Sequence, residues 1–156
     1  MYERQKIKPN FVTLRGNFPP ASILRATLYK EIGWDDLTNN PTSFDTCAIR
    51  MSLALIKSGM VIPGRMQIKA GMHTGKLIDP GQARLSKILA RPSFLGKPET
   101  FKTADAESGV GQRTGIISFF DIAPSSDTQH GHMGASKNCS ARCKFRPKKR
   151  SRPKVR

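Results

Sequence analysis

The apolar positions of this chain change spacing along its length, and the changes mark out its elements. Residues 1–18 are polar and basic, with isolated apolar positions at Ile7, Phe11, Val12, Leu14 and Phe18. After Pro19-Pro20, the positions Ile23, Leu24, Thr27, Leu28 and Ile32 follow helical spacing, and Gly33 suits the residue just past a helix end. This predicts a helix over about 21–32. Residues 34–45 (WDDLTNNPTSFD) are rich in turn and cap residues.

The clearest helical pattern runs from Thr46 to Gly59. Ile49, Leu53 and Ile56 define one apolar face, with Met51 and Leu55 beside it. Asp45 or Thr46 can cap the start, Lys57 sits in the last turn and Gly59 can end it. The pattern predicts a mostly buried central helix whose first turn holds Cys47.

Residues 60–80 read as loop or short strands. A further helix is expected near 80–91, with Leu85, Ile88 and Leu89 apolar and Arg91-Pro92 stopping it. Residues 93–113 show little periodicity. The run from Thr114 to Ile122 is compact, branched and aromatic, and reads as a buried strand. Residues 128–133 suit another strand, on which His130 and His132 would share a face. Helices and strands together give an α+β fold, and no internal repeat is visible.

Composition narrows the classes. The chain has 156 residues, enough for one ordinary domain, and 37% of them are hydrophobic. No stretch approaches the roughly 18 apolar residues of a membrane span, so no membrane insertion is expected. The first residues lack the apolar core of a secretory signal. Three cysteines, Cys47, Cys139 and Cys143, do not make a disulfide framework at this length.

The formal net charge is +16, from 27 basic and 11 acidic residues. Ten of those 27 lie in residues 137–156, which hold no acid, so the other 136 residues carry only +6. A block of like charge broken by Pro147 and Pro153 is expected to form a disordered tail. It could attract an anionic partner, nucleic acid included. Phe145 is its only aromatic, so base stacking has no support there.

Cys47 carries the candidate chemistry. Unpaired N–H groups and partial positive charge at a helix N-terminus favour a thiolate and can hold the oxyanion of a tetrahedral intermediate. The base must come from His73, His130 or His132. A cysteine on an early helix followed by a histidine on a later strand is the papain-like order. Arg50, on the next turn, can meet a substrate carboxylate or pair with Asp45 or Asp36, and Asp45 can cap the helix or touch substrate. His73, in a Gly-rich loop, reads as a surface residue. Gly109-Val-Gly111 lacks the context of a phosphate loop.

The segment Asp45-Thr-Cys-Ala-Ile-Arg-Met-Ser52 strongly resembles the Asn-x-Cys-Ala-Ile-Arg-Met-Ser motif of the type VI secretion amidase effectors, family 4. Similar text recurs at Ile32-Gly33-Trp34-Asp35-Asp36-Leu37, at Lys57-Ser58-Gly59, at Gly96-Lys97-Pro98-Glu99, at Arg113–Phe120 and at Gly131-His132. The resemblance covers about residues 11–143. It implies a papain-like, NlpC/P60-type fold, the nucleophile helix packed on an antiparallel sheet, with one amidase domain over 1–143 and a basic tail over 144–156. It implies an antibacterial cysteine amidase that cuts peptidoglycan stem peptides between γ-D-glutamate and meso-diaminopimelate without a cofactor or metal. Cys47 would be the nucleophile and His132 the general base, with Asp45 and Arg50 toward the substrate. Peptidoglycan, a cognate immunity protein and the secretion apparatus would be its partners, and the target-cell periplasm its place of action.

The chain departs from that pattern after the histidine. The family has acids there, one of which orients the base; here no Asp or Glu follows Asp127. Asn138 is the nearby amide able to take that role, and Ser136 and Ser140 are the other side-chain acceptors. The closing aromatic segment of the family is also replaced by the basic run. Two other readings use the same region. His130, His132, Cys139 and Cys143 have a spacing that could enclose a tetrahedral zinc, whereas the resemblance implies a disulfide for the two cysteines. Without an orienter the protein would be a catalytically impaired relic; the basic tail alone supports the other alternative, a protein that binds nucleic acid or another anionic surface.

Overall fold

The structure, a computed structural model, describes residues 9–43, 45–102, 104–119 and 132–136, the last of these through the backbone alone. The expected strand residues 128–131, with His130, lie outside the described residues. So do Asn138, the pair Cys139 and Cys143, and the basic tail.

Helix α1, Phe11–Asn17, begins where the Asn10 side chain accepts from the Val12 N–H at 2.8 Å. It falls in the stretch where isolated apolar positions predicted no element, because a helix of 7 residues needs only Leu14 buried to dock. Helix α2, Arg25–Ile32, starts later than its pattern suggested. Pro19 to Leu24 instead form a turn closed by the Ile23 N–H on the Pro20 carbonyl, 3.0 Å. Gly33 ends α2 at φ 76°, where a Cβ would also sit 2.9 Å from the Cβ atoms of Lys69 and Ala70. Two short 3₁₀ turns, Asp35–Leu37 and Pro41–Ser43, lead to helix α3, Cys47–Lys57.

Every residue of α3 from Ala48 to Ile56 is buried, the polar Arg50 and Ser52 included. The helix is therefore surrounded, not amphipathic in use. Leu28, Tyr29, Ile32 and Trp34 pack with it from the N-terminal side of the chain, and Ile68, Ile78, Leu85 and Leu89 from the C-terminal side. Strands β1, Met66–Gln67, and β2, Leu77–Ile78, form an antiparallel hairpin. Helix α4, Gln82–Leu89, matches the expected position and buries Leu85, Ile88 and Leu89. A short helix α5, Ala106–Val110, precedes strand β3, Gly115–Phe119. Strand β4, His132–Ser136, pairs antiparallel with β3 in the register Phe119 to His132 and Gly115 to Ser136. Its backbone packs against α3 and, less extensively, α1. The α+β reading thus holds, with two small antiparallel sheets among the described residues.

Buried polar groups tie the layers together. Asp79 at the end of β2 is fully buried and accepts from Arg65 Nη2 at 3.3 Å, from Arg84 Nη1 and from the Gly81 N–H at 2.9 Å. Its backbone N–H and carbonyl both meet Ser52 Oγ of α3 at 3.2 Å. Beside it, Gly64 leaves no room for a side chain: a Cβ would lie 2.4 Å from the Ile78 carbonyl. At the start of α4, Gln82 Nε2 donates to Ser118 Oγ and to the Phe119 carbonyl at 3.2 Å, while Ser86 and Ser118 share a hydroxyl hydrogen bond of 2.7 Å. These contacts anchor the end of β3 that faces His132 in the strand register.

Candidate active site

Cys47 is the first residue of α3, partly exposed while the nine residues after it (48–56) are buried. Two anchors place that helix end. The Tyr29 hydroxyl of α2 donates to the Ser43 carbonyl at 2.5 Å and so holds the approach to Cys47. Burial pushes the Tyr29 phenol above its ordinary range, and the nearby Arg25 charge pulls it back. It stays a neutral donor at physiological pH.

Arg50 is the second anchor. It is 9% exposed. Nε donates to Thr46 Oγ1 at 3.0 Å, Nη1 to the carbonyls of Pro19 and Pro20 at 3.3 and 2.7 Å, and Nη2 to that of Ile23 at 2.7 Å. The guanidinium thus fastens the 19–23 turn to the start of α3. No carboxylate among the described residues lies within ion-pair distance of it. The expected pairing with Asp45 or Asp36 is not formed. The fork faces inward, onto Thr46 Oγ1 and backbone carbonyls. Sequence marks neither outcome, because the acceptors are backbone carbonyls about 30 residues away.

Asp45 is exposed, and its Oδ1 accepts from the Cys47 N–H at 3.1 Å. It therefore caps α3 in place of Thr46, whose side chain makes no cap hydrogen bond. The same contact engages one of the N–H groups expected to face an oxyanion. β4 brings its backbone against α3, and His132 opens that strand. Asn138 lies outside the described residues.

His73 is remote from this end. It lines a cleft of about 400 Å³ with Lys57 and Glu31, at the opposite end of α3. That is about 15 Å along the helix axis from Cys47. Partial burial and the charges of Lys76 and Lys57 hold its imidazole below the ordinary histidine range. No group of three or more metal-ligating side chains occurs among the described residues.

Residues 44–146 match the profile of Tae4, the type VI secretion system (T6SS) amidase effector protein 4. The chain belongs to this family. That span includes Cys47, Arg50 and the whole of β3 and β4. No match appears among curated proteins. Among solved structures, the fold is similar to a chain of the type VI effector-immunity complex Tae4-Tai4 from Enterobacter cloacae. The TM-score is 0.62 at 20% identity, over 85% of this chain and 86% of that one. Tae4 membership makes this protein an antibacterial, peptidoglycan-targeting amidase effector of the kind delivered into target cells. No helix among the described residues is long and apolar enough to cross a membrane.

Proposed function

We propose that this Tae4 protein is a papain-like, NlpC/P60-type cysteine amidase that cuts the γ-D-glutamyl–meso-diaminopimelate bond, with Cys47 as nucleophile and His132 as general base. The observation that carries this reading is the position of Cys47: the first residue of a buried helix, partly open, with the strand that begins at His132 packed alongside. Helix-end charge favours the thiolate.

The thiolate Sγ attacks the amide carbonyl carbon, and the carbonyl electrons move onto its oxygen. As that tetrahedral intermediate collapses, the C–N bond breaks and the His132 imidazolium gives its proton to the departing diaminopimelate amine. The thioester is then attacked by water, from which His132 takes a proton. Sγ leaves as thiolate, the released γ-carboxyl belongs to D-glutamate, and the histidine is again protonated. No cofactor or metal is needed. Asn138 orients the imidazole in place of an acid. An immunity protein that covers Cys47 in the producer fits the effector-immunity assembly of the similar structure. Residues 1–143 would form the catalytic unit and 144–156 an accessory tail.

The roles are tested with a soluble diaminopimelate tetrapeptide. Cys47→Ala and His132→Ala should abolish turnover, and Asn138→Ala should lower it by about 10²-fold or more. Full activity in His132→Ala would remove that residue from the mechanism.

A further inference from the structure

We propose that Arg50 is a positioning residue for the Cys47 thiolate: backbone carbonyls hold its guanidinium one turn along α3, where its charge is left uncancelled beside the sulfur. The inference rests on the reading of Cys47 as nucleophile. It assigns the motif arginine an electrostatic role in place of substrate contact.

The geometry has three parts. Residues three apart on a helix are neighbours, and Arg50 folds back toward the helix start, since Nε reaches Thr46, the residue before Cys47. Its recorded acceptors are all neutral: one hydroxyl and the carbonyls of Pro19, Pro20 and Ile23. A carboxylate partner would cancel the charge; carbonyl dipoles satisfy the N–H groups and leave the full positive charge in place. Burial then weakens solvent screening of that charge.

The coupling is visible from the arginine. Burial pulls the Arg50 pKa down, and the charge of Cys47 pushes it back up. Interaction between two charges is mutual, so the guanidinium favours the thiolate. Other charges face this end as well. Asp45 of the preceding loop opposes the thiolate through its contact with the Cys47 N–H. Arg25 and Tyr29 come from α2, where Arg25 and Asp45 both act on the phenol. His132 is the sole titratable residue of β4, and β3 has none. Among these, Arg50 is the buried permanent cation on the helix of Cys47 itself.

The test is the pH dependence of iodoacetamide alkylation at Cys47, followed on its own peptide by mass spectrometry so that Cys139 and Cys143 do not interfere. Arg50→Gln should alkylate about tenfold more slowly than wild type at pH 6.5 and at the same rate at pH 10, where every thiol is ionised. Arg50→Lys should fall between them. Coincident profiles for wild type and Arg50→Gln would overturn the proposal. Should Arg50→Gln fail to fold, NMR on the wild-type protein decides. The Arg50 Nε–H resonance should move as the thiol titrates and stay still in Cys47→Ser; a resonance that ignores the thiol overturns the proposal. Neither readout needs substrate. A shifted profile without amide cleavage would sink the proposed reaction and leave Arg50's role standing, whereas cleavage with unshifted profiles would do the reverse.

Discussion

Cys47 is placed by the contacts that hold its end of the helix. Its N–H is capped by Asp45, Tyr29 of α2 holds the approach to its helix, and Arg50 of the same helix fastens it to the 19–23 turn. Asp45 both caps the helix and sets a negative charge near the sulfur, effects that separate on substitution. Asp45→Asn keeps an oxygen cap but removes the charge, so Cys47 alkylation at pH 6.5 should rise by about two- to threefold with little loss of melting temperature. A fall in rate would mean that the carboxylate charge helps the thiol. His73 gives a second residue-scale test. Its folded pKa lies below its ordinary value, so the unfolded chain takes up the proton first as pH drops through about 6.5. Stability is then highest above that pH and declines below it; His73→Gln should flatten this slope in urea melts recorded between pH 7.5 and 5. Cys47 and its helix were legible in the sequence because the apolar spacing and the Asp45 cap are local. The use of Arg50 was not, because its acceptors are contributed by a turn that looks in sequence like the beginning of a helix.

The elements were legible in proportion to their own pattern. α3 and α4 stand where their apolar faces put them; β3 lies within its branched run but is half-buried along its length, not buried. α1 was missed because Asn10 and Leu14 carry it almost alone. α2 begins late because the carbonyls of Pro19, Pro20 and Ile23 are turned toward Arg50, and the helical ladder starts only at the Leu24 carbonyl, which accepts from the Leu28 N–H. β4 begins at His132, where its pairing with β3 starts among the described residues, so the expected partnership of His130 and His132 on one face lies outside them. Asp79 holds β2, α4 and α3 in one network. Asp79→Asn loses the charge that Arg65 and Arg84 meet, and should cost about 2–3 kcal/mol. Both arginines are half exposed and can rehydrate, which keeps the loss below that of a wholly buried pair. Urea denaturation reads this directly, and an unchanged midpoint would show the network to be dispensable.

At the scale of the molecule, the +16 charge separates into a moderately basic body and a strongly basic tail. Attraction to an anionic cell wall is its physical consequence. Co-sedimentation with sacculi should therefore weaken as salt rises from 0.05 to about 0.5 M. Binding indifferent to salt would point to contacts other than charge. The family match makes the chain an amidase effector, and the structure supplies a partly open cysteine at the head of a buried helix. The central claim is that this cysteine opens the D-glutamyl bond. Sacculi of the diaminopimelate type, digested with the protein and resolved by mass spectrometry, test it directly. Wild type should release stem fragments ending in D-glutamate, and Cys47→Ala none. Such fragments from both proteins, or from neither, would contradict it.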